Sequence, residues 1–307
     1  MMEPRPSKST AEPRALLIAG PTASGKSERA MRAAEALHGE IVNADSMQLY
    51  ADLRILTARP SAEDEAKVRH HLFGVADAAE AWSVGRWLRA VETTLGDIAS
   101  RGRTAIIVGG TGLYFSALTR GLAHIPPVPM DVRAATLAHY EHVGEDEFRA
   151  HLAHVDPVAA TRIAQGDRQR LTRAWEVHAA TGRAITDWQT QAEPLLPPGY
   201  FHAEVLEPPR EALFVRCDAR LLAMVEAGAL QEVGRLLARG LPNSLPAMKA
   251  LGVAPFAAHL RGDLGRAEAI ASAQQDTRRY AKRQLTWFRN QTPDWPRTVA
   301  DTVVEPT

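Results

Sequence analysis

The chain has 307 residues, 45% of them hydrophobic and 23% charged, which suits one large or two smaller packed domains. Lys+Arg and Asp+Glu each number 36, so the formal net charge is zero; a nucleic-acid partner would need cations gathered locally rather than a uniform basic field. The single cysteine, Cys217, excludes an intramolecular disulfide and any multi-cysteine metal site, and no apolar stretch reaches the ~20 residues that span a bilayer.

Met1 to Pro13 is polar and proline-containing and lacks the apolar run of a signal peptide. It is expected to be a disordered leader of a cytoplasmic protein. Ala15 to Ala19 is a short apolar run stopped by Gly20, the pattern of a buried parallel strand. A helix is expected from Gly25 to about Leu37, then a second strand from Glu40 to Asn43 that ends at Asp45. Trp87, Leu88, Val91, Leu95 and Ile98 recur at helical spacing between Val84 and Arg101. Thr104 to Val108 reads as a third buried strand, closed by Gly109-Gly110. This alternation predicts an α/β fold, a P-loop NTPase-like parallel sheet flanked by helices.

The prolines at 126, 127 and 129 break that pattern. Every candidate element between Asp131 and about Gln191 is a helix, and Pro194 to Pro198 marks the end of the run. The expected organisation is a core of residues 14–124 and 200–307, interrupted by an all-helical insertion domain at 125–199. The C-terminal part of the core is expected to be helical, with a long helix from Gly265 to Asn290.

Gly20-Pro21-Thr22-Ala23-Ser24-Gly25-Lys26-Ser27 matches G-x-x-x-x-G-K-[ST] between a strand and a helix, the setting in which the motif is a phosphate cradle of nucleotide-binding, typically ATP-binding, proteins. Its backbone N–H groups and the helix N-terminus face phosphate oxygens. Lys26 adds a point charge, and the Ser27 hydroxyl can ligate Mg²⁺. A hydrolytic P-loop protein usually carries an aspartate at the end of a later strand. Here the third strand ends in Gly109-Gly110-Thr111-Gly112, which argues against a motor or switch NTPase and leaves transferases open. Ligands of parallel sheets gather at the carboxyl ends of the strands, and Asp45-Ser46-Met47-Gln48 falls at another such end. The residues alone leave Asp45 open as a magnesium ligand, a proton acceptor or a helix N-cap.

The segments GPTASGKS, NADSMQLY, TARPS, HHLF, VGGTGLYF, DRQRLTRAWEVHAATGR and RRYAKRQLTWFR occur in this order between about Ala15 and Asn290. Together they closely resemble the tRNA dimethylallyltransferases, also called tRNA isopentenyltransferases. The resemblance implies transfer of a dimethylallyl group from dimethylallyl diphosphate to the exocyclic amine of the adenosine 3′ of the anticodon. The P-loop, Gly20 to Ser27, would then hold the donor's diphosphate, with Mg²⁺ on Ser27. Asp45, Thr111, Lys26 and Arg220 are implied as the catalytic set, with Asp45 the base for the adenine amine. The implied tRNA contacts are Asp45, Ser46, Met47, Gln48, Thr111, Arg133, Gln169, Arg170, Leu171, Thr172, Arg173 and Lys249. No membrane association is implied, and nothing suggests an obligate dimer, so a monomer is expected.

Arg162, Arg168, Arg170 and Arg173 form one local basic segment. Arg278, Arg279, Lys282, Arg283 and Arg289, interleaved with Tyr280, Trp287 and Phe288, form another. Cations with aromatics suit a single-stranded loop, although Trp287 and Phe288 are expected to pack inside. His70 and His71 stand on opposite faces of a strand, one packed and one exposed, rather than on a metal. Two departures from the family pattern stand out. Leu56 replaces a usual glycine, and Leu251-Gly252-Val253-Ala254 lacks a usual aromatic and cation, with Lys249 nearby as a replacement charge. The competing readings are a mononucleotide isopentenyltransferase, a small-molecule kinase and an RNA-binding module with a relic P-loop. The insertion and basic C-terminal helix argue against the first, ATP dependence would mark the second, and the intact Lys26, Ser27, Asp45 and Thr111 argue against the third.

Overall fold

The apolar run Ala15–Ala19 forms β1 at the middle of a six-stranded sheet, in a computed structural model that describes residues 15–299. The expected leader, Met1 to Pro13, lies outside the described residues. The other strands are β2 (Gly39–Asn43), β3 (His70–His71), β4 (Thr104–Gly109), β5 (Phe201–Leu206) and β6 (Arg297–Thr298). All neighbours pair in parallel, in the order β3-β2-β4-β1-β5-β6. Ala19 at the end of β1 lies opposite Gly109 of β4 and Val205 of β5. Two-sided burial explains the continuous apolar sequence of β1 and β4: Leu17, Ile18, Ile106 and Ile107 are all fully buried.

Helices α1 (Lys26–Ala36), α2 (Ala62–Lys67), α3 (Val84–Ser100) and α4 (Gly112–Arg120) accompany the first four strands. Ser61 and Asp64 form a reciprocal capping box on α2. After the insertion come α9 (Arg210–Glu226), α10 (Ala229–Ala238), α11 (Val253–Arg261) and α12 (Arg266–Gln291). Among the described residues no helix is long and apolar enough to cross a membrane.

β5 and β6 are additions that apolar patterning does not announce, because β5 carries His202 and Glu204. Glu204 is nonetheless buried, held by Arg29 of α1 at 2.7 Å and by the Thr298 hydroxyl of β6 at 3.1 Å. A paired carboxylate is tolerable inside where a lone one is not. The histidines of β3 also differ from expectation, since both are half-buried. His71 Nε2 meets Glu40 at 2.6 Å, while His70 Nδ1 meets the Val68 carbonyl at 2.7 Å and its ring lies edge-on to Phe73. Arg101 grips the same Glu40 carboxylate, and these partners bring its pKa down to about 2 despite burial.

The chain divides into two compact units, one of them Arg120–Leu195. This helical unit contains α5 (Met130–Val155), α6 (Pro157–Arg162), α7 (Arg168–Thr181) and α8 (Ile185–Gln189). α5 is broken at Gly144, whose φ of 79° and ψ of 174° only glycine adopts readily. His139 and His151 stand 3.1 Å apart across the break, whereas a straight helix would separate them by about 18 Å. The segment is therefore a hairpin, closed over Phe148, Leu152, Leu171 and Ala174.

Candidate active site

Because β2, β4 and β1 are neighbours, their carboxyl ends place Asn43, Gly109 and Gly20 side by side. Gly109 permits the closest approach, since a Cβ there would stand 2.1 Å from the Ala44 backbone. The buried Asn43 organises the turn after β2. Its Oδ1 accepts from the Asp45 N–H at 2.7 Å, and its Nδ2 donates to the carbonyls of Asp45 and Leu72. Trp87, stacked on Tyr114, donates from Nε1 to the Asn43 carbonyl at 2.9 Å. This buried network leaves the turn little freedom.

Asp45 accepts from the Met47 N–H through Oδ1 at 3.0 Å, an Asx turn. Among the described residues its Oδ2 has no hydrogen-bond partner, and the side chain lines two cavities. Thr111 stands behind it: the Thr111 hydroxyl accepts from the Ser46 N–H at 3.0 Å and donates to Ser46 Oγ at 3.3 Å. Thr111 is not among the residues lining either cavity, so it holds Ser46 rather than the wall itself. Gln48 donates twice, to the carbonyls of Thr57 and Ala58. The loop they belong to is fixed from below by Glu232 of α10. That buried carboxylate accepts from the N–H groups of Arg54, Ile55 and Leu56, each at 2.8 Å.

The P-loop runs from Gly20 to Ser27. Lys26 Nζ donates to the Pro21 carbonyl at 2.5 Å, folded over the loop. Burial pushes its pKa down to about 8, with nearby Asp45 pulling upward and Arg220 adding to the fall. Thr22 accepts from the Arg220 guanidinium through its hydroxyl and receives the Cys217 thiol on its carbonyl at 3.9 Å. Cys217 and Arg220 are one turn apart on the inward face of α9, beside buried Leu213 and Leu221. Burial also lowers the Arg220 pKa. Gly20, Pro21 and Ser24 are buried, and among the described residues Ser24 Oγ has no hydrogen-bond partner; these positions shape the loop, while Thr22, Lys26 and Ser27 face open space.

One cavity, of about 300 Å³, is lined by Lys26, Ser27, Gln48, Arg59, His70 and Phe73 among others. The second, of about 250 Å³, is lined by Ser46, Met47, Leu56, Lys249, Tyr280 and Arg283 among others. Thr22, Asp45, Thr57 and Arg220 belong to both. The first cavity, where the P-loop residues Lys26 and Ser27 meet Arg59 and Arg220, suits a phosphate-bearing ligand. The other, with an aromatic ring, a thioether and hydrogen-bonding groups, suits a heterocyclic base. Leu56 covers Gly252, where any Cβ would come within 2.9 Å of Leu56 Cδ1; this pairing accommodates the departure at position 56. Val253 is buried at the start of α11, and Lys249 stands exposed at the cavity wall.

The sequence-derived RNA segment lies on α7 of the helical unit. Gln169 and Arg170 are exposed and Arg173 is half-buried. Leu171 and Thr172 point into the unit's core, and the Thr172 hydroxyl bonds the Arg168 carbonyl. Their side chains anchor the helix, with Gln169, Arg170 and Arg173 on its more exposed side. Arg133 is exposed on α5. The arginines have more acidic neighbours than the sequence indicates: Arg168 pairs with Glu141, Arg170 with Asp167 and Arg173 with Glu176. Such surface pairs are worth ~0–1 kcal/mol and yield readily to phosphate. On α12, Phe288 is buried as expected, Trp287 packs on Gly112 but is only half-buried, and Arg283 lies 5.5 Å above the Tyr280 ring. Arg59 and Gln284 were not singled out by sequence, although both stand in the quoted motif segments TARPS and RRYAKRQLTWFR.

The IPP transferase family matches residues 48–291, and the isopentenyl transferase family matches residues 13–74. A tRNA dimethylallyltransferase of Phenylobacterium zucineum (strain HLK1) is 62% identical over 94% of this chain and 94% of its own. One from Caulobacter sp. (strain K31) is 59% identical over 92% and 91%. Among solved structures, a eukaryotic dimethylallyltransferase acting on tRNA superposes with a TM-score of 0.81 at 27% identity, covering 94% of this chain and 74% of that one. The full-length tRNA isopentenylpyrophosphate transferase of Bacillus halodurans gives 0.66 at 31% identity, over 94% and 90%. A family match over most of the chain and relatives this similar over nearly their whole length show that the chain belongs to the tRNA dimethylallyltransferase, or IPP transferase, family.

Proposed function

We propose that this enzyme transfers a dimethylallyl group from dimethylallyl diphosphate to the exocyclic amine of the adenosine 3′ of the anticodon in tRNA. The observation that carries the reading is the pair of cavities sharing Thr22, Asp45, Thr57 and Arg220. The donor's diphosphate lies against Lys26, Ser27 and Arg220, and the flipped adenine enters beside Met47 and Tyr280. The allylic carbon meets the amine where the cavities join. The new N–C bond forms as the allylic C–O bond breaks, and the diphosphate departs with the electron pair. Asp45 accepts the amine proton. Lys26 and Arg220 stabilise charge building on the leaving oxygen.

Mg²⁺ fits this site. Ser27 offers a hard oxygen at the wall of the cavity that also holds Lys26 and Arg220. Among the described residues no group of three or more His, Cys, Asp or Glu side chains is arranged to hold a metal, which suits an ion that takes most of its oxygens from diphosphate and water. When bound, Mg²⁺ neutralises diphosphate charge. The enzyme acts as a monomer in the cytoplasm under this reading. Incubation with Mg²⁺, dimethylallyl diphosphate and unmodified tRNA should place a prenyl mass increment on that adenosine. An unchanged nucleoside profile, with the protein folded, overturns the reading.

Donor binding should depend on pH through Lys26. A diphosphate beside Nζ favours the ammonium and raises its pKa above the free value of about 8. Binding therefore takes up a proton above pH 8, and affinity falls by up to about tenfold per pH unit until the bound pKa is reached. Calorimetric titration with dimethylallyl diphosphate between pH 7 and 9.5 should show this fall in the native protein and not in Lys26→Met. A flat native profile above pH 8 contradicts it.

Arg170→Ala and Arg173→Ala should weaken tRNA binding far more than donor binding. Each lost phosphate contact should also reduce the log–log salt slope by about one unit. Unchanged affinity and slope would make this side of α7 a solvated face.

A further inference from the structure

Gln284 is one of the few buried polar side chains of α12, 5% exposed, and it touches neither cavity. Its carboxamide Oε1 accepts from the Thr22 N–H at 2.9 Å, and its Nε2 donates to the Gly110 carbonyl at 2.8 Å. Position 110 accommodates this approach only without a side chain, since a Cβ would stand 2.2 Å from Nε2. One planar group thus bridges the P-loop to the glycine-rich turn after β4, using a donor and an acceptor that no other side chain of this length combines.

Both ends of the bridge lead to the reacting centre. Thr22 also receives Arg220 on its hydroxyl. On the other side, Thr111 follows Gly110, donates its N–H to the Ala44 carbonyl at 3.2 Å, and accepts the Ser46 N–H beside Asp45. One turn earlier on the same helix, Tyr280 lines the base-side cavity, and so does the adjacent Arg283. The Thr22 N–H is occupied by Gln284 and is therefore not a phosphate donor, so the bridge sets the position of the loop.

We propose that Gln284 is a positioning residue for the transfer, holding the diphosphate cradle at Thr22 and the substrate turn at Gly110 in one register and fastening both to the helix that carries Tyr280 and Arg283. The role rests on the transferase reading above. Loss of the bridge lets the two halves of the site shift relative to each other, and a displacement near 1 Å costs on the order of 100-fold in rate. Binding of tRNA, which draws on many contacts, is much less affected.

The test compares Gln284→Met, which keeps the volume without either hydrogen bond, with Gln284→Glu, which keeps an acceptor for Thr22 but sets an oxygen against the Gly110 carbonyl. Ile98→Ala, in the last turn of α3 and buried, is the control for lost stability alone. Steady-state transfer is measured with varied dimethylallyl diphosphate and tRNA, alongside Tm. Both Gln284 variants should lose roughly 10- to 100-fold in kcat with the KM for tRNA within about threefold of native, while Ile98→Ala lowers Tm and keeps kcat. A Gln284→Met enzyme with native kcat, or a Gln284→Glu enzyme as active as native, overturns the role. Native protein that prenylates no tRNA overturns the transferase reading and this role with it; native transfer matched by Gln284→Met overturns the role only.

Discussion

Asp45→Asn is expected to lower turnover roughly 100- to 10,000-fold at saturating substrates, the usual range for loss of a general base. Asn keeps the shape, and its Oδ1 can still accept from the Met47 N–H as Asp45 does at 3.0 Å. The turn set by Asn43 and Trp87 should therefore survive, and what is removed is the charge and the proton-accepting oxygen. Donor binding should change little, because Lys26, Ser27 and Arg220 remain. A magnesium ligand at this position would behave differently, losing donor affinity and recovering partly at high Mg²⁺. A residue that merely caps the turn would cost ~1 kcal/mol of stability at most, since Asn caps well too. Turnover, donor affinity and magnesium titration on this one variant separate the three roles, and native turnover removes Asp45 from the chemistry.

Lys26→Ala and Ser27→Ala should each reduce transfer by about 100-fold or more, the typical cost of losing a preorganised group that stabilises charge in the transition state. The fold should tolerate both. Lys26 gives up one hydrogen bond to the Pro21 carbonyl and, in exchange, the desolvation that holds its pKa near 8 is relieved. Ser27 is exposed. The sharper expectation is the difference between them: added Mg²⁺ should recover part of the Ser27→Ala loss and none of the Lys26→Ala loss. Turnover within a few-fold of native in either variant, with native transfer verified as magnesium-dependent, would sink the assignment of the cradle.

The strands that carry the site were legible because they are buried on both faces and end in residues of special chemistry. β1, β2 and β4 match their expected spans to within one residue at each end, and the long C-terminal helix is displaced by one residue from expectation. β5 was hidden because its inward Glu204 looks like a surface residue until Arg29, 175 positions earlier, is placed beside it. The break in α5 was equally hidden, since an isolated glycine is tolerated within a helical pattern; the backbone angles of Gly144 and the contact of His139 with His151 reveal the reversal. Within the site, local spacing pointed to Lys26, Ser27 and Asp45. The clamp by Glu232 and the bridge by Gln284 join residues far apart in the chain, and no local pattern encodes such pairs.

That separation has a temporal meaning. Thr22 and Gln284 are 262 positions apart, and at a synthesis rate of 5–20 residues per second the second emerges about 10–50 s after the first. For most of that interval the nascent chain carries its P-loop motif without β5 to flank β1 and without Cys217 or Arg220 beside Thr22, and for all of it without Gln284. The position of the P-loop is thus set late in synthesis, once α12 has been made as far as Gln284.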